Sequence, residues 1–238
     1  MAAEPRARAC WHDAPDGATL ALALAGFVAA RLADALRGGG QASLAVSGGK
    51  TPVRFLECLS ARDLPWERVH VTLVDERWVD ETSDRSNGRM VRNHLLRGYA
   101  ARAAFHPLHT TAPTPEAARE ALDRSVRSLP HPFAAVVLGM GEDGHTASFF
   151  PGGDHLASCL DPAGTRRVES LRAPAAGEPR ITLTLAAILD AEAIAIHAEG
   201  AAKRAVLEQA LGDGPTDALP VRGVLRHART PVSLFWSP

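Results

Sequence analysis

The stretch "GMGEDGHTASFFPG" (139–152) sets Asp143 and His145 two residues apart on a turn containing three glycines. An unperturbed imidazole titrates near pH 6.5, at about which it divides between acid and free base, so it can take a proton from water at neutral pH. A nearby carboxylate can orient that ring or a substrate hydroxyl. Three roles stay open from the stretch alone: a proton-transfer base, a metal ligand and a structural histidine. Metal ligation is disfavoured by the absence of an H-x-H or H-E-x-x-H arrangement, with the cysteines far off at Cys10, Cys58 and Cys159. A serine nucleophile is disfavoured too, since no G-x-S-x-G elbow occurs and Ser148 lies beyond His145.

Two further stretches carry charge. In "SGGKTP" (47–52), Gly48 and Gly49 let a backbone approach a ligand, and Lys50 and Thr51 add a cation and a hydroxyl ahead of a helix whose N-terminus favours anions. The spacing is neither that of a Walker loop nor G-x-G-x-x-G, so a phosphate cradle and an ordinary strand-to-helix turn both fit. In "DERWV" (75–79), Asp75, Glu76 and Arg77 cannot all face one way. At least one must turn back to brace the scaffold, while Arg77 offers a fork suited to carboxylate or phosphate. A purely structural ion-pair cluster fits equally. Lys203 falls in the first turn of a helix, where a cation opposes the helix dipole unless an anion is near. Arg180, at the start of "RITLTL", is a weaker candidate, because arginines at strand starts are mostly solvated.

The elements around these residues alternate. "ASLAV" reads as a buried strand, and "TPVRFLECLSA" as a helix with Thr51 as N-cap and Pro52 at its first position. "RVHVTLVDERWV" reads as a central strand, "SNGRMVRNHLL" as a capped helix, "TTAPTPEAAREALDRSVRSL" as a proline-punctuated loop leading into a helix and "PFAAVVLGMG" as a third strong strand. "RRVESL" and "RITLTL" read as a more exposed strand pair, "AAILDA" as a helix, "AIAIHAEG" as a strand and "AAKRAVLEQAL" as its helix. "PVRGVLRHARTPVSLFW" reads as a short helix and a last edge strand. Repeated strand-loop-helix units predict an α/β fold: a doubly wound, mainly parallel sheet with helices on both faces, plus a small strand-rich appendage, in one domain over 1–238. Ligands in such sheets bind at the strands' carboxyl ends, so the three glycine-bearing or charged loops should open on one side.

Composition limits the partners. The chain of 238 residues carries 26 basic and 27 acidic residues, which gives no general attraction to nucleic acid or an anionic membrane. Three scattered cysteines argue for reduced thiols and a cytoplasmic setting. "ATLALALAGFVAA" superficially resembles a secretory leader, but Glu4, Asp13 and Asp16 offset Arg6 and Arg8. It reads better as an amphipathic helix stopped by Gly38–Gly40, its apolar run too short for a bilayer.

Taken in order, "SGGKTP", "DERWV", "GMGEDGHTASFFPG", "RITLTLAAILDA" and "GAAKRAVL" resemble the bacterial 6-phosphogluconolactonase family, over nearly the whole chain. The resemblance implies the sugar-phosphate isomerase/deaminase-like fold, which is Rossmann-type. It also implies hydrolysis of 6-phospho-D-glucono-1,5-lactone in the oxidative pentose phosphate pathway, with a small-molecule substrate and no metal or organic cofactor. The protein would be a monomer or small homo-oligomer. It casts His145, Asp143 and Arg77 as catalytic, and Gly48, Gly49, Lys50, Thr51, Lys203 and Arg180 as substrate- or phosphate-binding. Glucosamine-6-phosphate deaminases share a D-G-H loop but carry a glutamate before its proline, where this chain has Phe150. A sugar-phosphate sensor without activity would need neither His145 nor Asp143.

Overall fold

The computed structural model describes residues 9–238; Glu4, Arg6 and Arg8, weighed above against a leader, lie outside the described residues. In chain order the elements are β1 (Ala9–Asp13), α1 (Gly17–Leu36), β2 (Ala42–Val46), α2 (Val53–Ser60), β3 (Val69–Leu73), β4 (Asp75–Arg77), α3 (Asn87–His94), β5 (Ala104–His106) and α4 (Pro115–Arg127). Then follow β6 (Ala135–Gly139), α5 (Leu156–Cys159), β7 (Val168–Leu171), β8 (Arg180–Leu183), α6 (Leu185–Leu189), β9 (Ile194–Glu199), α7 (Ala201–Leu211), α8 (Val221–His227) and β10 (Val232–Ser237).

Seven strands form one parallel sheet in the order β1-β10-β9-β6-β2-β3-β5, the doubly wound sheet that the alternation predicts. Its centre is the most apolar part of the chain: every residue of β2 is buried, as are Ala135 to Leu138 of β6. Strands covered on both faces read as continuous apolar runs for this reason. Val46 pairs with Leu73 and Val137, and Gly139 with His197, so the carboxyl ends of β2, β3, β6 and β9 finish side by side.

The first helix is long and apolar enough to cross a membrane by length and composition, contrary to the sequence expectation of too short a run. In this fold its apolar stripe, Leu20, Leu24, Val28 and Leu32, is spent on the core, each residue being fully buried. Asp16 caps it, accepting from the Thr19 N–H at 2.7 Å.

Several boundaries differ from the sequence expectations. "RVHVTLVDERWV" is two strands in two sheets, breaking at Val74, so that β4 pairs antiparallel with β8 in a three-stranded sheet β4-β8-β7. The β7–β8 pair is buried throughout rather than exposed, because α4 lies on β7. The last strand is not an edge strand: β10 lies between β9 and β1. The short polar segment "ACWHD" takes the edge, where the Arg204 guanidinium of α7 covers Trp11 at 4.0 Å and Trp236 at 4.7 Å. α2 begins at Val53, with Pro52 in the cap position and no side-chain cap bond, so Thr51 is not its N-cap. Lys50 to Pro52 form a turn instead.

The small sheet is tied to α4 through Glu169, which is 3% exposed. Its Oε1 accepts from Arg119 Nη1 at 2.8 Å and its Oε2 from Arg166 Nη1 at 3.2 Å. Burial opposes the charge, but the hydrogen bonds from Arg119, Ser170 and Arg166 outweigh it and hold the carboxyl below its usual pKa. A depressed folded-state pKa gives stability that is complete above the unfolded value of about 4.3 and is lost as the pH falls through the folded value. Glu169→Gln should therefore destabilise the protein by roughly 1–3 kcal/mol at pH 7. In urea unfolding that difference should shrink below about pH 4, where the wild-type carboxylate takes up its proton.

Candidate active site

The carboxyl ends of the central strands enclose a cavity of about 390 Å³. Its wall includes the 47–52 loop after β2, Asp75 and Arg77 of β4, and Gly139, Met140, Gly141 and His145 after β6. Asn87, Ala147, Phe150, Ala175, Arg180, His197 and Lys203 complete it. The loops after β2, β3 and β6 thus open together, as the fold class predicts.

The histidine loop is shaped by its glycines. Gly144 has φ +73°, and a Cβ there would come within 3.1 Å of the Leu219 Cα. The Val221 N–H donates to the Gly144 carbonyl at 2.9 Å, so the segment entering α8 clamps the turn. Gly141 is required for a different reason: a Cβ there would lie 2.3 Å from the His145 ring and 2.6 Å from Asp143 Oδ1. Ala147 holds a left-handed φ of +48°, local strain of the kind that surrounding structure must impose.

Within this loop Asp143 Oδ1 lies 2.5 Å from His145 Nδ1. A carboxylate only accepts, so Nδ1 carries the proton and Nε2 keeps its lone pair. Phe150 stacks on the imidazole at 4.2 Å between centroids, with the Arg180 guanidinium 5.3 Å from the other partner in that stack, the Phe150 ring. Ser148, three residues past His145, gives its hydroxyl to Asp75 Oδ2 at 2.6 Å and is committed to the scaffold.

The "DERWV" residues divide as the sequence requires. Glu76 turns inward and accepts from the N–H groups of Arg77, Asn87 and Gly88 and from the Ser86 hydroxyl, at 2.7–3.0 Å. Burial nevertheless raises its pKa, the four donors pulling the other way. Asp75 joins the loops. Besides Ser148 it receives the Asn87 side-chain amide, at 2.9 Å on its carbonyl, and lies 3.7 Å from Arg180 Nη1. Arg77 faces the cavity and donates from Nη1 to the Arg85 carbonyl at 2.6 Å, so it serves scaffold and cavity at once.

The positive groups line the same cavity. The backbone N–H groups of Gly48, Gly49, Lys50 and Thr51 donate to nothing among the described residues. A Cβ on Gly48 would lie 1.8 Å from Asn87 Oδ1, so only glycine lets the loop sit there. Lys203, in the first turn of α7, reaches the same cavity without an ion-pair partner among the described residues. Arg180 corrects its ranking as a solvated strand-start arginine: it is 8% exposed, burial pushes its pKa down, and Nη2 donates to the Ala176 carbonyl at 2.7 Å.

All the sequence-proposed residues meet here except Asp143, which stands behind His145 rather than on the wall. Asn87 and His197 were not anticipated. Asn87 shows no signal beyond its helix start. His197 interrupts the apolar run "AIAIHAEG", a signal that was available.

The family model for glucosamine-6-phosphate isomerases/6-phosphogluconolactonase matches residues 15–236. The chain is 51% identical over 228 residues to a 6-phosphogluconolactonase of Mesorhizobium japonicum, covering 96% of this chain and 95% of the relative. It is 48% identical to one of Rhizobium meliloti, covering 95% and 98%. A crystal structure of a 6-phosphogluconolactonase from Shewanella baltica superposes with a TM-score of 0.94 at 38% identity, over 97% of this chain and 98% of that one.

The close fit at Gly141 gives a test of the histidine geometry. Gly141→Ala should push the ring off Asp143, and ¹⁵N imidazole NMR above pH 8 should show the His145 proton moving from Nδ1 towards a tautomer mixture. A variant that keeps the wild-type Nδ1–H signal would contradict the pairing.

Proposed function

The chain belongs to the glucosamine-6-phosphate isomerase/6-phosphogluconolactonase family, and on that premise we propose that it hydrolyses 6-phospho-D-glucono-1,5-lactone to 6-phospho-D-gluconate in the oxidative pentose phosphate pathway. The observation that carries this reading is that one cavity brings together cations, free N–H groups and an Asp-paired imidazole with an unoccupied Nε2. A phosphorylated lactone has the matching groups, with a dianion at C6 and an electrophilic carbonyl at C1.

His145 Nε2 removes a proton from water as the water oxygen bonds to C1. Asp143 holds the ring by Nδ1 and stabilises the imidazolium that forms. The tetrahedral intermediate puts negative charge on the former carbonyl oxygen, which Arg77 or a glycine-loop N–H meets with preorganised donors. Collapse breaks the bond from C1 to the ring oxygen, and the imidazolium returns its proton to that oxygen. The product is a carboxylic acid that ionises in water, so turnover releases acid. No covalent enzyme intermediate, metal or organic cofactor enters, and the reaction takes place in the cytoplasm.

Phe150 favours hydrolysis over the deaminase alternative. It stands where that alternative calls for a glutamate, and an apolar ring cannot relay a proton. Its place against the imidazole gives it a supporting task instead.

Acid release from the lactone should be measured by pH-stat at a pH where spontaneous opening is slow. His145→Ala should lower kcat by roughly 100-fold or more. Lys203→Ala should act first on KM, raising it by roughly 10-fold or more, as loss of a charged phosphate contact does. Equal turnover by wild type and His145→Ala, or loss of activity on chelation, would sink the mechanism.

A further inference from the structure

His197 belongs to none of the motifs that suggested the function, yet it lies on the cavity wall at the carboxyl end of β9. Its register partner on β6 is Gly139, which has no side chain to cover it. The ring is 2% exposed, and neither nitrogen has a hydrogen-bond partner among the described residues. The nearest acid, Glu199, approaches Nε2 at 3.3 Å without hydrogen-bond alignment, and Phe55 meets the ring edge-on at 6.4 Å. A buried polar group left unpaired is destabilising, and an apolar side chain of similar volume would fill this site without that penalty. An imidazole persisting here therefore points to a partner that arrives from the cavity.

We propose that His197 selects for phosphate: as a neutral imidazole beside Lys203, it donates a hydrogen bond to the phosphate group of the substrate. This rests on reading the cavity as a phosphate-ester site. A phosphate dianion has more acceptor positions than Lys203 and the 48–51 N–H groups fill, and a buried N–H donor to a charged oxygen is among the stronger hydrogen bonds. Neutrality suits the position, because a second cation against Lys203 would repel it. Burial, and after it the Lys203 charge, push the His197 pKa down to about 4, so at neutral pH it carries one N–H. Lys203 then supplies the charge and His197 the directed donor.

The test compares wild type with His197→Leu, His197→Asn and His197→Gln. Asn places an amide near the Nδ1 position and Gln near the Nε2 position, so at least one keeps the donor. Calorimetric titration with 6-phosphogluconate should show His197→Leu binding roughly 10- to 100-fold more weakly, with Asn or Gln recovering most of the loss. In lactone turnover the Leu variant should lose more in KM than in kcat. Its preference for the phosphorylated over the unphosphorylated lactone should fall by about tenfold. His197→Leu should also unfold at the same or a higher temperature than wild type, since it removes an unpaired buried ring. Weaker binding without lost stability is a result that a structural role cannot produce.

Wild-type affinity in the Leu variant would overturn the proposal, as would equally weak binding by Leu, Asn and Gln. Failure of the wild type to hydrolyse the lactone would overturn the functional reading instead, and the 6-phosphogluconate titrations would still decide the role of His197.

Discussion

The cavity depends on one carboxylate, that of Asp75. Three segments distant in sequence come together on it: the Ser148 hydroxyl of the histidine loop at 2.6 Å, the Arg180 guanidinium of β8 at 3.7 Å, and the Asn87 amide at the start of α3, which reaches Oδ1 at 3.4 Å and the Asp75 backbone carbonyl at 2.9 Å. Asn87 in turn fills the space against Gly48, which places the glycine loop. A single acid at the point where the chain leaves the large sheet for the small one thus sets the distance between the anion-attracting loop and the histidine. Glu76 beside it secures the same junction from within, accepting three donors from the segment that enters α3 and a fourth from the Arg77 N–H. Such a buried network holds geometry well when every member is satisfied, and fails as a unit when one is removed.

From that junction follows a division of labour. Lys203 and the free N–H groups of the 48–51 loop make a fixed positive region that needs no reorganisation when an anion enters. The Asp143–His145 pair opens on the same cavity through the imidazole, with Nδ1 held by the carboxylate. Phe150 packs against the imidazole, with the Arg180 guanidinium 5.3 Å from its ring, and keeps a proton-carrying side chain out of that position. The same loop that presents the base therefore also restricts the chemistry available to it.

Much of this was legible in the sequence, and the part that was not has a consistent cause. Continuous apolar runs identify β2 and β6 because strands buried on both faces have no polar alternation, and the loops after them carry their glycines in full view. That at least one of Asp75, Glu76 and Arg77 turns inward follows from three adjacent charges on an extended chain; that Glu76 does so is decided by the donors at the start of α3. What escaped was decided by tertiary neighbours. β1 and β5 are short and mixed in character, and become strands only because the sheet has edges to cover. The β7–β8 pair looks exposed until α4 lies on it. Arg180 reads as a solvated strand-start residue until Asp75 and Phe150 enclose it, and His197 reads as one polar residue in a core strand until the neighbouring strand presents Gly139.

The proposed hydrolysis requires the phosphate at Lys203 and the reacting carbon at His145. A crystal structure of the protein with 6-phosphogluconate tests it most directly. The expected complex has the phosphorus nearer Lys203 Nζ than His145, phosphate oxygens on the N–H groups of the 48–51 loop, and the C1 carboxylate within hydrogen-bonding distance of His145 Nε2. A ligand bound the other way round, with its phosphate against His145 and its carboxylate against Lys203, would contradict it.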